Sequence, residues 1–184
     1  MADVLHINPN IDKATKYALL LEECERLLQP QDGLISSLAN CSAILKQSFG
    51  WFWVGFYLVS DGVLKLGPFQ GELACTRIEK GRGVCGTAWK EKQSILVPDV
   101  DDFPGHIACS SATKSELVVP IIKANEVVAV LDADATVYAA FDETDAKGLE
   151  QLQVFVKILL ILTDESEYLN LSCGGGIGLF CGYL

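Results

Sequence analysis

Residues 51–69 read WFWVGFYLVSDGVLKLGPF. Aromatic and β-branched residues crowd the first half, which predicts a strand from Trp51 to Ser60. Ser60-Asp61-Gly62 is a tight-turn signal, so Val63–Phe69 should return antiparallel to that strand. Alternation sorts the side chains onto two faces. Phe52, Val54, Phe56 and Leu58 share the face expected to meet the core. Trp51, Trp53, Gly55 and Tyr57 share the other face. That face is aromatic, polar-tipped and opened by a glycine, which suits one wall of a small-molecule pocket. Packing against the terminal helices is the plainer alternative for it.

Upstream, the apolar period is helical. Tyr17, Leu20, Leu21, Cys24, Leu27 and Leu28 recur at three- and four-residue spacing and predict a helix over 11–28. Gln29–Gly33 breaks it, and Leu34, Ile35, Leu38, Cys41, Leu45 and Phe49 mark a second helix. Downstream, Ala74–Ile78 is a candidate short strand, and Gly81–Lys90 reads as a glycine-rich turn into a short helix. Ser94–Val97 is another short strand, and residues 99–114 form a long polar loop of the kind that is usually functional or disordered. Leu117–Ile122 and Glu126–Asp134 are strands joined by a Lys-Ala-Asn turn. Asp142 should cap a final helix whose stripe is Leu149, Leu152, Phe155, Val156, Leu159 and Leu162. The expected class is therefore α+β, a central antiparallel sheet with long N- and C-terminal helices packed on one face.

The chain has 184 residues, 50% of them hydrophobic and 21% charged, which fits a single globular domain. The expected division is one domain over 1–164 and a tail over 165–184 of unassigned structure, with the glycine-rich run CGGGIGLFCG inside it. Asp and Glu total 24 against 14 Lys and Arg, a net charge of −10. That balance argues against nucleic acid and against an anionic membrane surface as partners. Residues 1–10 carry no basic segment followed by an apolar run, so a cytoplasmic location is expected. Seven cysteines, an odd number, fit thiols better than a secreted disulfide scaffold.

Two groups of residues could carry chemistry. The first is Cys75, Cys85 and Cys109. Their spacing is not that of a zinc ribbon, although His106 could complete a Cys3His set. Buried, inert thiols are the bland alternative. Against it, Cys85 falls in a glycine-rich turn and Cys109 at the end of the long loop, places where a thiol is expected to be exposed and reactive. The second group is Asp132 and Asp134, which alternation puts on one face with Val128 and Val130. Either they lie at a solvent-exposed strand end, or they form a pocket for an ammonium group or an acid catalyst. Crowding would then raise each one's proton affinity. Glu116 joins them if its strand pairs with theirs.

With these residues in place, the chain resembles free methionine-(R)-sulfoxide reductase over about residues 12–163. The resemblance rests on Ala74-Cys75-Thr76-Arg77-Ile78, on Gly81–Ala88 and on Pro98-Asp99-Val100. It continues through Phe103-Pro104-Gly105-His106-Ile107-Ala108-Cys109, Ser115-Glu116, Val130–Asp134 and Phe141-Asp142. It implies a GAF fold and reduction of the R-epimer of the free amino acid, with no cofactor and no metal. It further implies Cys109 as the attacking cysteine and Cys75 as its resolving partner, with Cys85 a third redox or ligand-contacting cysteine. Glu116, Asp132 and Asp134 match the substrate-binding acids, and Trp53 and Tyr57 the aromatic wall. Asp134 is the expected proton donor, a thioredoxin-type dithiol the expected reductant, and a homodimer the expected assembly. Many members have Gly before Val-Leu-Asp and Ser after the second Asp. Here Ala129 and Ala135 stand there, which puts the fine shape of the pocket in question. A GAF module that senses a small ligand without turnover is the competing function.

Overall fold

The computed structural model describes residues 11–107 and 110–162. Two helices lead: α1 (Lys13–Leu27) and α2 (Leu34–Phe49). Asp12 caps α1, its carboxylate accepting from the Thr15 backbone N–H at 3.0 Å. Gly50 ends α2 in the left-handed region, φ 68°, where glycine has no Cβ to clash. Six strands follow, β1 (Trp53–Ser60), β2 (Val63–Gln70), β3 (Arg77–Ile78), β4 (Ile95–Val97), β5 (Ser115–Lys123) and β6 (Glu126–Ala135). Helix α3 (Gly83–Glu91) lies between β3 and β4, and α4 (Glu143–Leu162) closes the described chain. The predicted strand at 74–78 is thus only its last two residues.

One antiparallel sheet holds all six strands in the order β3-β2-β1-β6-β5-β4. Both hairpins turn on consecutive positive-φ residues, Asp61-Gly62 and Ala124-Asn125, the twist that two-residue loops favour. The sheet separates two apolar layers. On one face α1, α2 and α4 bury Tyr17, Leu20, Leu38, Leu45, Leu149 and Leu152 against Val54, Phe56, Leu117, Val119 and Leu131. On the other face the single helix α3 packs Val84, Cys85, Ala88 and Trp89 against Trp53, Tyr57, Val118 and Val130. One nine-residue helix does not cover that face, and the uncovered part is the cleft described below.

Two side-chain assignments change. Strand β1 starts at Trp53, so the alternation does not reach back to Trp51 and Phe52. Trp51 stacks on Phe49 and meets Phe141 in the helix-side core, whereas Phe52 packs toward the cleft side. Val128 also changes sides. Pairing runs Ile121↔Ala129 and then Ile122↔Val127, so one extra residue bulges out of β6. Val128 packs with the helix-side core, while Val127 and Val130 share the cleft face with Asp132 and Asp134.

Helix α4 starts as a reciprocal box. Asp142 Oδ1 accepts from the N–H groups of Thr144 and Asp145, and Asp145 Oδ2 accepts from the N–H of Asp142 at 2.9 Å. Lys13 of α1 donates to both carboxylates, and Tyr17 Oη donates to Asp145 at 3.0 Å. Lys13 and the capping N–H groups hold the Asp142 carboxyl down at about 2. No described helix is long and apolar enough to cross a membrane. The 165–184 tail, with Cys173 and Cys181, lies outside the described residues.

Candidate functional site

The cleft opens beside the N-terminus of α3. Its floor is made by three neighbouring strands. Glu116 of β5 pairs with Asp134 of β6, which pairs with Trp53 of β1 on its other side. Two residues along β6, Asp132 lies between Val118 and Gly55. Because paired residues in an antiparallel sheet point to the same face, the register sets Glu116, Asp132 and Asp134 on one floor. This pairing is the condition under which Glu116 was expected to join the two aspartates, and it is met.

The walls come from other elements. Trp53 is held by its indole N–H, which donates to the Glu72 carbonyl at 3.1 Å, and its ring stacks on Phe69. Tyr57 is buried beside it at 6.0 Å between ring centroids. Gly55 lies between them on the strand, and its bare Cα is required. A Cβ there would approach Phe69 Cβ to 2.3 Å and the Trp53 ring to 2.8 Å. The N-terminus of α3 supplies Arg82, Gly83, Val84 and Cys85. Arg82 makes no side-chain cap, so the first backbone N–H groups of the helix are not taken by one. His106, Ile107, Ser110 and Thr113 close the remaining side.

Cys85 is not where the sequence suggested. It lies in the first turn of α3, 4% exposed, with Sγ 3.9 Å from Glu116 Oε1. Burial, then the charges of Asp132 and Glu116, push its thiol well above the ordinary range. It is a protonated thiol facing carboxylates rather than an exposed nucleophile. The expected exposure failed because glycines at 83 and 86 do not make a loose turn. Gly86 fits its helix tightly against the preceding chain, since a Cβ would come to 2.4 Å of the Glu79 carbonyl.

The acids are under strong mutual pressure. Glu116 and Asp132 are each 6% exposed. Desolvation raises Asp132 to about 7, opposed by hydrogen bonds from the Cys85 and Glu116 side chains. Burial, and then the Asp132 and Asp134 charges, raise Glu116 well above the carboxylate range. Burial and then Asp132 raise Asp134, with a Thr113 hydrogen bond working the other way. His106 Nε2 is 3.7 Å from Glu116 Oε2, but burial lowers the imidazole, so it is a poor counter-charge near neutrality.

Cys75 lies half-buried between β2 and β3, next to the cleft-lining Ala74, and it is disulfide-bonded. Cys24, Cys41 and Cys85 are free thiols. Cys109, expected to be the attacking residue, lies outside the described residues. The Cys3His zinc set includes Cys109 and so lies partly outside the described residues. Among the described residues, the cluster with metal-ligand proximity is Cys85, Glu116 and Asp132. Ala129 and Ala135 belong to the helix-side core, so neither shapes the pocket directly. Sequence reasoning passed over Arg82, Ser110 and Thr113 as cleft residues, and weighed His106 only for zinc. Position in the long loop was the available signal for the last three.

A sheet flanked by helices on one face and a partly covered ligand cleft on the other defines a GAF-domain protein, and residues 38–158 match the GAF domain family. Free methionine-R-sulfoxide reductase of Escherichia coli is 42% identical over 159 residues, covering 86% of this chain and 96% of that one. The GAF domain-containing protein A of Dictyostelium discoideum is 51% identical over 153 residues, covering 83% and 96%. The X-ray structure of the Neisseria meningitidis free methionine-R-sulfoxide reductase in complex with its substrate superposes with a TM-score of 0.83. It is 46% identical, with 87% of this chain and 96% of that one covered. The chain belongs to the free methionine-R-sulfoxide reductase family of GAF-domain proteins.

Proposed function

We propose that this protein reduces free methionine (R)-sulfoxide to methionine with its own cysteines as the electron source. The observation that carries the proposal is a floor of buried Glu116 and Asp132 with half-buried Asp134, beneath an aromatic wall, with disulfide-bonded Cys75 next to the cleft-lining Ala74. Glu116 and Asp132 bind the substrate ammonium group, a cation that offsets the repulsion between them. The first N–H groups of α3 and the nearby Arg82 receive the carboxylate. Trp53 and Tyr57 pack on the S-methyl group. A methionine residue inside a peptide has neither free charge, which accounts for selectivity toward the free amino acid.

The thiolate of Cys109 attacks the sulfoxide sulfur. Asp134, whose carboxyl is raised by burial and by Asp132, delivers a proton to the oxygen directly or through a water. Methionine leaves and Cys109 becomes a sulfenic acid. Cys75 displaces its hydroxyl as water, and a disulfide forms between the two. The substrate gains two electrons and the two thiols lose them. A thioredoxin-type dithiol then restores the thiols in the cytoplasm. Cys85 stays a thiol and contacts the substrate rather than resolving the sulfenic acid. A homodimer is part of this reading, supported by Val154 and Ile158, which lie one turn apart on α4 and are both exposed.

The test is NADPH consumption with thioredoxin, its reductase and each sulfoxide epimer in turn. Turnover of the R-epimer alone, abolished in Cys109→Ser, is expected. No turnover of the R-epimer, or full turnover in that variant, overturns the proposal and leaves a ligand-sensing module.

A further inference from the structure

The cleft floor brings a thiol and two buried carboxyl groups to one place. Cys85, Glu116 and Asp132 come from α3, β5 and β6, and one ligand atom of each lies within 4.8 Å of the others. All three are buried. Asp132 Oδ1 is buried and accepts no hydrogen bond among the described residues. That oxygen is left without a donor, although the carboxylate also meets the Cys85 and Glu116 side chains. The cation-forming side chain at Glu116 is His106, which stands on the far oxygen, Oε2, and not on the Oε1 that faces Cys85.

We propose that Cys85 Sγ, Glu116 and Asp132 form a binding site for a zinc ion, which occupies the place of the substrate ammonium group and blocks turnover reversibly. In tetrahedral zinc sites the metal–ligand bonds of about 2.0–2.3 Å put neighbouring ligand atoms roughly 3.3–3.8 Å apart. The Sγ–Oε1 distance of 3.9 Å is already close to that, and carboxylate rotation closes the remainder. One thiolate with two carboxylates suits a borderline-soft cation and disfavours magnesium or calcium, which take oxygen alone. Three protein ligands leave the fourth position to water from the open cleft, as in zinc sites that exchange their ligands. On binding, the Cys85 S–H bond breaks, an S–Zn bond forms, and the thiol proton leaves to solvent together with any proton held by Glu116 or Asp132. No electron is transferred. The blocking step rests on the substrate placement proposed above; the metal site itself does not.

Cobalt(II) serves as the optical probe, because a thiolate ligand gives it a near-ultraviolet charge-transfer band. It is titrated into the full chain in its disulfide form, so that Cys75 is not a competing thiol. A band saturating at about one equivalent is expected, bleached by zinc. Cys85→Ser abolishes it and Asp132→Asn weakens metal binding about tenfold or more, with folding of each variant checked by circular dichroism. A Cys173→Ser/Cys181→Ser double variant keeps the band. No band in the wild type, or a band that survives Cys85→Ser, overturns the site. Saturating methionine (R)-sulfoxide should bleach the band as zinc does. A band indifferent to substrate in an enzyme that turns over overturns the blocking. A band without any turnover upholds the metal site and overturns the reductase reading instead.

Discussion

Gly55 lies directly opposite Asp132 across the β1–β6 pair, so the only side-chain-free position on the cleft face of β1 faces the most central carboxylate. The Trp53 ring and Phe69 fill the space a Cβ would need. Gly55→Ala should destabilise the fold by roughly 1–3 kcal/mol through overpacking and displace the Trp53 ring. Urea unfolding followed by tryptophan fluorescence measures both. A variant with wild-type midpoint and wild-type KM would mean the contact is relieved at no cost.

Asp132 gives a signed dependence on pH. Its carboxyl rises from 3.8 in the unfolded chain to about 7 in the fold. Between those values the folded state binds the proton more tightly, so stability from this group is full below about pH 4 and lost as pH climbs to about 7. Asp132→Asn removes that loss. Relative to wild type it should gain stability between pH 4.5 and 8, by roughly 1–4 kcal/mol, while its substrate binding weakens. Denaturant midpoints at the two pH values decide it. A difference between variant and wild type that is the same at both would show that Asp132 ionises normally.

Asp134 is the more accessible of the two aspartates and lies between Glu116 and Trp53. As proton donor it acts on the reacting oxygen, not on ground-state affinity. Asp134→Asn should lower kcat by about 10²–10⁴-fold with a smaller change in KM. Should KM alone move, Asp134 is a binding group and the proton comes from elsewhere.

Tyr17 and Asp145 join α1 to α4 far from the cleft, at 3.0 Å, with Asp145 fully buried. Tyr17→Phe leaves one oxygen of that carboxylate without its donor and should cost about 1–3 kcal/mol in guanidinium unfolding. kcat/KM should be unchanged. A loss of activity at unchanged stability would tie the helix layer to catalysis.

Much of the fold was legible because its signals are local. The turn residues at 60–62 and 124–125, the helical stripes before 50 and after 142, and the run of alternating residues in β1 each state their own geometry. Trp51, Phe52 and Val128 were misplaced for the same reason. Alternation holds only inside a strand, and neither the start of β1 nor the bulge in β6 leaves a mark in composition. The acids were legible as a trio only through the family resemblance, since alternation alone paired Asp132 with Asp134. Glu116 and Asp134 are distant in sequence, and only the β5–β6 register places them side by side. Cys85 was legible as chemistry and wrong in setting, since glycines that look like a flexible turn instead let α3 pack tightly.

By itself, the sequence determined the layer architecture, the residue types of the site and the family, because helix and strand periods and short motifs are written in neighbouring positions. Tertiary structure alone decided that Glu116, Asp132, Asp134 and Cys85 share one floor, all but Asp134 buried. It also decided that their protons are held more tightly than in water. Desolvation and charge crowding are properties of a place, and that place exists only once three strands and a helix N-terminus have closed around it.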